Sequence, residues 1–365
     1  MSRPSWTTLA PLAALVVLAL AWGSHPGVVA AVGIGVFLVG AVLSAVHHAE
    51  VVAHRVGEPF GSLLLAVAVT VIEVGLIVTL MVSSEGDTSA LARDTVFAAA
   101  MITLNGIAGL ALLIGAVKYR MAVFNPEGAG SALTVVVALA TLTLVLPRFT
   151  TSEAGPEFSS SQLAFAAVAS LALYAIFVVT QTVKHRDFFL PVDTSSGGQG
   201  LPDDDHDGHA DPPDDRAALA SLVLLVLGLV AVVGLAKVES YPIQEGVDAI
   251  GFPESFVGVV IALLVLLPES IAAGRAAARN RVQTSLNLAY GSAMASIGLT
   301  IPAIAVASIW LEGPLVLGLE PMQMVLLLVS VITAVLTVVP GRAKSLQGYV
   351  HLALLVAFVF LSIKP

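Results

Sequence analysis

Eleven long apolar runs dominate the chain, each close to the length of about 20 residues that a helix needs to cross a membrane core. They lie near residues 7–22, 27–47, 62–83, 92–117, 130–147, 161–182, 218–236, 254–273, 284–310, 322–340 and 347–363. The runs are continuously apolar and do not alternate with polar residues, which indicates helices and not barrel strands. The sequence therefore predicts an all-α polytopic membrane protein with eleven transmembrane helices.

The composition excludes several functional classes. Hydrophobic residues make up 57% of the chain and charged residues only 11%, a balance that is typical of membrane proteins. Cysteine is absent, which excludes disulfides, iron–sulfur clusters and thiol catalysis. No basic face for nucleic acid is present. We expect the lipid bilayer to be the main partner, and residues 1–26 to be a retained helix and not a cleaved signal peptide.

Lysine and arginine residues indicate the orientation. With the N-terminus in the cytoplasm, 12 of the 16 basic residues fall in or beside cytoplasmic connections. Basic residues favour the cytoplasmic side of membrane proteins. The sequence therefore predicts a cytoplasmic N-terminus and an external C-terminus.

One connection, residues 185–217, is long and polar and divides the chain into halves. Its content of glycine, proline and aspartate predicts a mobile linker. Its acidic and histidine side chains are Asp203, Asp204, Asp205, His206, Asp207, His209, Asp211, Asp214 and Asp215. They form either a solvated linker or a regulatory cation site on the cytoplasmic side, although their spacing matches no ordered calcium loop.

Two acidic residues lie inside apolar runs. Glu73 lies within residues 62–82, and Glu269 lies within residues 256–273. An ionisable side chain near the middle of a membrane is energetically costly, so it indicates a function. We therefore predict that these two acids form a cation and proton site.

The sequences around the two acids resemble each other. Phe60 precedes Glu73 by 13 residues, and Phe256 precedes Glu269 by 13 residues. Helix 3 leaves the cytoplasmic side, whereas helix 8 returns toward it. The chain is therefore expected to contain two repeats of opposite orientation, an arrangement that places a site near the middle of the membrane.

The predicted repeats comprise five helices each. Helices 2–6 span residues 27–184, helices 7–11 span residues 218–365, and helix 1 lies outside both repeats. At 1.5 Å per residue, each acid lies about 18 Å from its end of the helix, roughly half the thickness of the membrane core. Both acids are therefore expected to meet at one depth.

Oxygen atoms near the two acids complete the predicted site, because a hard cation such as Ca²⁺ binds oxygen ligands. Pro268 disrupts its helix and frees carbonyl groups one turn earlier. Thr70 shares a helical face with Glu73. Asn105, Ser292 and the segment 300–302, which contains Thr300 and Pro302, add polar or broken positions in helices 4 and 9.

The same carboxylates are expected to bind protons. A poorly solvated cavity favours the neutral form of an empty carboxyl group, whereas a bound cation favours its ionised form. Proton and cation then compete for one site, which produces exchange if only the occupied carrier reorients. Glu50, Glu58 and Glu245 lie near vestibules, where they either attract ions or are solvated helix ends.

Two stretches, residues 49–81 and 256–305, resemble the calcium/cation–proton antiporter family of the calcium/cation antiporter superfamily. The resemblance covers nearly the whole chain and includes the bacterial ChaA-type sodium (potassium)/calcium–proton antiporters. It implies export of cytoplasmic Ca²⁺, Na⁺ or K⁺ in exchange for protons across a bacterial inner or plasma membrane. It implies no enzyme activity and no cofactor.

The family motifs carry a Gly-Asn pair shortly before an essential glutamate. Glu73 and Glu269 occupy the glutamate positions, but Thr70 and Leu266 stand at the asparagine positions. This departure permits selectivity for monovalent ions. The resemblance also matches Glu50 and Glu245 to the acid before each motif, and the pair Gly291-Ser292 to a family motif.

Other functions remain as alternatives. A cation channel needs a continuous filter of carbonyl or acid rings, and no such sequence is seen. A membrane enzyme or sensor needs a nucleophile, a metal cluster or a nucleotide loop, and none stands out. A monovalent-cation/proton antiporter with little calcium activity is the remaining alternative.

Overall fold

The computed structural model describes residues 5–24, 26–57, 60–83, 87–192, 214–311 and 313–365. Over these residues the chain folds into thirteen α-helices and two short β-strands, with short π-helical and 3₁₀ segments. The α-helices are α1 (Trp6–Ala21), α2 (Val28–Val56), α3 (Phe60–Ser83), α4 (Leu91–Met101), α5 (Ala108–Tyr119), α6 (Pro126–Ala140), α7 (Ser160–Val179), α8 (Asp215–Ala249), α9 (Phe256–Val265), α10 (Leu267–Ala278), α11 (Val282–Ala307), α12 (Pro321–Val338) and α13 (Ser345–Ile363).

Most of these helices are long and apolar enough to cross a membrane. Helices α4 and α5 continue through the π-helix Ile102–Ile107 into one span, Leu91–Tyr119. Among the residues described, nine spans meet the length and composition of a membrane helix, and the bent pair α9–α10 is a tenth candidate. Helix α1 is apolar but has 16 residues. The helical membrane architecture is confirmed, whereas the number of eleven spans stays a prediction.

The predicted break at Pro268 is confirmed. Helices α9 and α10 meet at an angle of 54°. They join at Leu266, whose φ of −85° and ψ of 0° lie outside the helical range. Pro268 occupies the first turn of α10, where its missing N–H group is tolerated. The chain therefore turns within its apolar segment three residues before Glu269.

Helices α2 and α8 are longer than the apolar runs that predicted them. The runs near residues 27–47 and 218–236 mark only the most hydrophobic part of each helix. Polar residues continue the same helices beyond these parts. Helical hydrogen bonds join backbone groups, so a helix can extend past the last apolar side chain of its run. Helix α2 ends at Gly57, which adopts a φ of 75° and donates its N–H group to the carbonyl oxygen of Ala53.

The helices pack around two main apolar clusters. One cluster joins α4–α7 with α9–α13, and the other joins α1, α2, α3, α8 and α9. Large apolar side chains such as Leu20 and Val29 remain 82% and 88% exposed, respectively. Exposed apolar faces of this extent fit contact with lipid. The candidate site described below lies where the two packing units meet.

A two-stranded antiparallel sheet ties two connections together. Strand β1 (Ala122–Val123) follows α5, and strand β2 (Arg342–Ala343) precedes α13. Ala122 pairs with Ala343 in this sheet. The pairing fixes the α5–α6 corner against the α12–α13 corner at one end of the bundle.

Candidate functional site

A cavity of about 190 Å³ lies between α3, α7, α9–α10 and α11. Four of the residues predicted to form the site line it: Thr70, Glu73, Glu269 and Ser292. Further polar lining residues are Gln181, Asn287 and Ser296. The structure therefore brings two acids that are far apart in sequence to one internal space.

Glu73 is held by two hydroxyl groups from α11. Its side chain is only 3% exposed. Ser296 donates a hydrogen bond of 2.5 Å to Oε1 of Glu73, and Thr300 donates one of 2.9 Å to Oε2. The two hydroxyl residues are four positions apart, so they share one face of α11. Thr300 was among the predicted polar positions, whereas Ser296 was not predicted.

Glu269 and Thr70 keep buried oxygen atoms that have no hydrogen-bond partner in the described structure. These atoms are Oε2 of Glu269 and Oγ1 of Thr70. Glu269 lies in the first turn of α10, where the helix dipole favours a negative charge. A buried oxygen without a partner costs free energy, so its retention fits a ligand or a proton that binds there. The cavity thus offers unpartnered oxygens from both sides.

The cavity extends from the acids toward one end of the bundle. Leu65 near the start of α3 and Asn287 near the start of α11 line it. Gln181, in the π-helix Thr180–Lys184 that continues α7, lines it as well. All three residues lie toward the bundle end that carries Lys184 and Arg281, so the cavity extends from the acids toward that end.

An apolar cluster lies on the other side of Glu73. Ile77 on α3, Ala92 on α4 and Ile304 on α11 are each 0% exposed and pack together. Ile77 is four residues beyond Glu73, and Ile304 is four residues beyond Thr300. The cluster therefore closes the direction opposite to the cavity, one helical turn past the hydrogen bonds of Glu73.

A second and larger cavity, of about 1060 Å³, lies at the opposite end of the bundle. The predicted vestibule residue Glu245 is exposed and lines this cavity. Arg93 and Asp94 line its wall and form a buried ion pair of 2.8 Å. Neither Glu73 nor Glu269 lines this space, so the two cavities are separate in this conformation.

The predicted vestibule acid Glu50 lies at the opposite end of the bundle from Glu245. Glu50 is exposed near the C-terminal end of α2 and interacts electrostatically with Glu269. Glu58 lies outside the described residues. Glu50 is therefore the one described vestibule acid that acts on the two-acid cavity.

Asn105 lies away from the cavity, and the structure does not bring it to the two acids. It is fully buried in the π-helix, where its Nδ2 donates to Oγ of Ser330 at 2.8 Å. Its Oδ1 lies 3.1 Å from Nδ1 of His351, whose Nε2 lies 3.2 Å from Oγ1 of Thr337. Pro268 acts on the cavity through the bend and is not one of its lining residues.

No cluster of three or more histidine, cysteine or acidic side chains suited to a resident metal occurs in the part of the chain that the structure describes. The acidic linker residues 203–211 lie outside that part. A cation in the two-acid cavity would be held by two carboxylates, hydroxyl oxygens and water, which is a set of hard oxygen ligands.

Comparisons with known proteins agree with this architecture. The family model described as sodium/calcium exchanger protein matches residues 26–183 and 220–364. The chain belongs to the sodium/calcium exchanger family. Within it, the resemblance to the calcium/cation–proton antiporters is confirmed, which makes the chain an integral membrane protein of a transporter family.

Two relatives and one solved structure show how far the likeness extends. The y4hA protein of Sinorhizobium fredii is 43% identical over 369 residues, covering 99% of this chain and 97% of that protein. The sodium-potassium/proton antiporter ChaA of Escherichia coli is 33% identical over 353 residues, covering 96% and 93%. The structure of native YfkE superposes with a TM-score of 0.71 at 17% identity and covers 99% of both chains. That superposition shows a shared fold.

Proposed function

We propose that this protein is a secondary active transporter that exchanges a cytoplasmic cation, Ca²⁺, Na⁺ or K⁺, for external protons by alternating access. Glu73 and Glu269 are its shared cation and proton site. The observation that carries the proposal is that one cavity is lined by both acids, which come from α3 and α10. Membership of the family and the 33% identity to an antiporter of E. coli support the proposal.

Coupling follows from the competition of two ligands for the same oxygens. Neutral carboxyl groups lose the charge that attracts a cation, and a bound cation keeps them ionised. A carrier that reorients only when these groups are occupied by one or the other therefore exchanges cations for protons. The unpartnered carboxylate oxygen of Glu269 is where a proton and a cation compete, and the unpartnered hydroxyl oxygen of Thr70 adds a neutral ligand for the cation.

The two cavities support an inward-facing conformation. The two-acid cavity extends toward the end that carries Lys184 and Arg281, and most basic residues belong to that side. Basic residues favour the cytoplasm, so we assign this end to the cytoplasm and the N-terminus with it. The cluster of Ile77, Ala92 and Ile304 then closes the external path.

Two inverted halves account for the second conformation. Glu73 follows the long helix α2, and Glu269 follows the long helix α8, which supports the predicted repeats of helices 2–6 and 7–11. In such a carrier each half can adopt the conformation of the other. The path to one side of the membrane then closes while the path to the opposite side opens. The external cavity around Glu245 is then the path that joins the acids in the outward-facing state.

Proton release from proteoliposomes tests the exchange. Purified protein is reconstituted with an imposed pH gradient, and Ca²⁺, Na⁺ or K⁺ is added to one side. We expect at least one cation to dissipate the gradient in a protein-dependent way, with uptake of that cation in step with proton movement. Cation flux without proton movement would instead identify a channel, and absence of all flux would refute transport.

Cysteine accessibility tests the conformation and orientation, because the chain contains no native cysteine. Gln181→Cys places a single thiol in the two-acid cavity, and Gln244→Cys places one in the opposite cavity. We expect a membrane-impermeant thiol reagent to label Gln181→Cys from the cytoplasmic face and Gln244→Cys from the external face. The reverse pattern would overturn the assigned orientation.

A further inference from the structure

A third acid is buried in the helix bundle and has no part in the exchange described above. Glu239 lies on α8, and its side chain is 5% exposed. Its Oε1 has no hydrogen-bond partner in the described structure. Glu239 lines neither the two-acid cavity nor the external cavity around Glu245. A buried carboxyl group without a partner costs free energy, so its presence in an apolar helix indicates a function of its own.

The carboxyl group of Glu239 lies on the face of α8 that packs against α2. Gly228 marks this face, because a Cβ atom there would lie 3.2 Å from the Cβ atom of Ala45 on α2. Glu239 follows Gly228 by 11 residues, which is about three helical turns, so the two residues share one face. Leu235 lies between them on that face and is 0% exposed. The acid is thus directed into the contact between α2 and α8.

The same contact holds a second buried polar side chain, and that one is partnered. Nδ1 of His48 on α2 lies 3.2 Å from Oγ of Ser221 on α8, and its Nε2 lies 3.1 Å from the carbonyl oxygen of Thr7 on α1. His48 is near the end of α2 and Ser221 near the start of α8, so the two helices are antiparallel. Glu239 lies 18 residues beyond Ser221, toward the external end of the contact in the assigned orientation. The contact thus has a partnered group at one end and an unpartnered acid at the other.

The helices that pack against α8 present no countercharge to Glu239. These helices are α1, α2, α3 and α9. Helices α1 and α9 contain no titratable side chain, and the one in α3 is Glu73 of the cation site. The titratable residues of α2 all lie in its cytoplasmic half: His47, His48, Glu50, His54 and Arg55. On α8 itself, Lys237 is exposed, and its Nζ lies 5.1 Å from the ring centre of Trp22. The neutral, protonated acid is therefore the form that packs against α2.

The external cavity borders α8 on both sides of Glu239. The two neighbouring residues, Val238 and Ser240, line that cavity. Tyr241 and Glu245, further along α8, line it as well. A small widening between α8 and α2 therefore brings water to the carboxyl group, where it can exchange a proton with the external side.

We propose that Glu239 is a second proton-binding site, separate from the cation site, and that α8 closes against α2 on the external side only after this acid has taken up a proton. The proton comes from the external cavity and returns to it when the path reopens, so it is not one of the protons exchanged for the cation. The closure step rests on the proposed alternating access. Glu239 thereby makes the transport cycle depend on external acidity at a position where no cation binds.

Exchange of a cation for the same cation separates the two proton sites, because they respond to pH in opposite directions. Proteoliposomes hold equal Na⁺ and equal pH on both sides, and entry of radioactive Na⁺ is followed; radioactive Ca²⁺ is tested in the same way. At the cation site a proton competes with the cation, so a rise in pH speeds this exchange. At Glu239 loss of the proton prevents closure, so a rise in pH slows it. We expect the unaltered protein to slow at alkaline pH, by up to about tenfold per pH unit for one proton.

Glu239→Gln keeps the shape of the protonated acid and cannot ionise. Its cation exchange should stay fast at alkaline pH, where the unaltered protein is slowed. Glu254→Gln, at an exposed position that lines the external cavity, is the matched control and should follow the unaltered protein. The role of Glu239 would be overturned by an unaltered protein that only speeds up as pH rises, or by a folded Glu239→Gln variant that slows as the unaltered protein does.

Infrared spectroscopy tests the proton on Glu239 without any transport. The carbonyl stretch of a protonated carboxyl group is recorded at neutral pH in the Glu73→Gln/Glu269→Gln double variant, which lacks both acids of the cation site. We expect a band that disappears when Glu239→Gln is added, and absence of that band would overturn the second proton site. Failure of every cation to exchange for protons would instead refute the proposed function and the closure step with it, but not the proton on Glu239.

Discussion

The hydroxyl group of Ser296 on α11 donates a hydrogen bond of 2.5 Å to Oε1 of Glu73 on α3. Together with the bond from Thr300 to Oε2, it fixes one of the two membrane acids against a neighbouring helix. Glu269 has no comparable pair of hydroxyl donors, and its Oε2 is unpartnered. The two acids are therefore chemically unequal in this conformation, although the sequence pattern around them is similar.

Removal of the α11 hydroxyls should weaken cation binding without abolishing it. A hydrogen bond to a charged group contributes roughly 1.5–3 kcal/mol, so Ser296→Ala should raise the half-saturating cation concentration about tenfold or more. Initial rates of exchange in proteoliposomes measure this change. Ser308→Ala, at the end of α11, removes a hydroxyl that bonds only locally to Ala305 and should have no effect. Equal behaviour of the two variants would contradict the role of Ser296.

The network around His351 should contribute to stability and not to ion binding. His351→Leu leaves Oδ1 of Asn105 without its partner and removes one of the two contacts of the Thr337 hydroxyl, which costs roughly 1–3 kcal/mol of unfolding free energy. We expect a lower melting temperature in detergent and an unchanged cation affinity of the folded protein. His47→Leu, at an exposed position on α2, is the control. If Asn105→Leu lost cation binding while its fold remained stable, Asn105 would belong to the ion site after all.

The bend at Pro268 should be needed for transport. Pro268→Ala restores an N–H group at the break between α9 and α10, which favours a straighter helix and moves Glu269 relative to Glu73. The variant should remain folded and lose most of its exchange rate, as measured under a fixed pH gradient. Pro321→Ala, at the first position of α12, is the control and should transport normally. Full activity of folded Pro268→Ala would show that the bend is dispensable.

Glu50 should act through its charge at a distance. It is exposed and interacts electrostatically with Glu269, so Glu50→Gln should raise the half-saturating cation concentration a few-fold at low ionic strength. The difference should vanish as choline chloride approaches 1 M, where the Debye length is about 3 Å. Glu127→Gln, at an exposed position of α6, provides the comparison. A salt-independent loss as large as that of Glu269→Gln would make Glu50 a direct ligand.

The sequence predicted the acids and the bend because each breaks a rule of apolar helices. A carboxylate in hydrocarbon and a proline inside a helix are costly, so Glu73, Glu269 and Pro268 are visible without any structure. Ser296 carries no such signal. Hydroxyl side chains in apolar helices often bond their own backbone four residues earlier, as Ser170 does with Ala166. Composition does not distinguish such a residue from one that binds an acid on another helix.

The position of Asn105 depends on contacts that no local pattern reveals. Its partners, Ser330 and His351, lie 225 and 246 residues away in sequence. The π-helix Ile102–Ile107 also changes the face that Asn105 presents, since its hydrogen bonds differ from those of the flanking α-helices. Alignment of the two halves therefore identified Asn105 as a polar residue in an apolar helix, but it did not predict which residues Asn105 contacts.

Proton–cation exchange by Glu73→Gln and Glu269→Gln tests the central claim most directly. Glutamine keeps the shape of glutamate but neither titrates nor carries the charge that holds a cation. Each variant is reconstituted in proteoliposomes with an imposed pH gradient, and its fold is checked separately by thermal unfolding. We predict that both variants are folded and that neither exchanges cations for protons. Near-normal coupled exchange by either folded variant would contradict the account and place the proton site elsewhere.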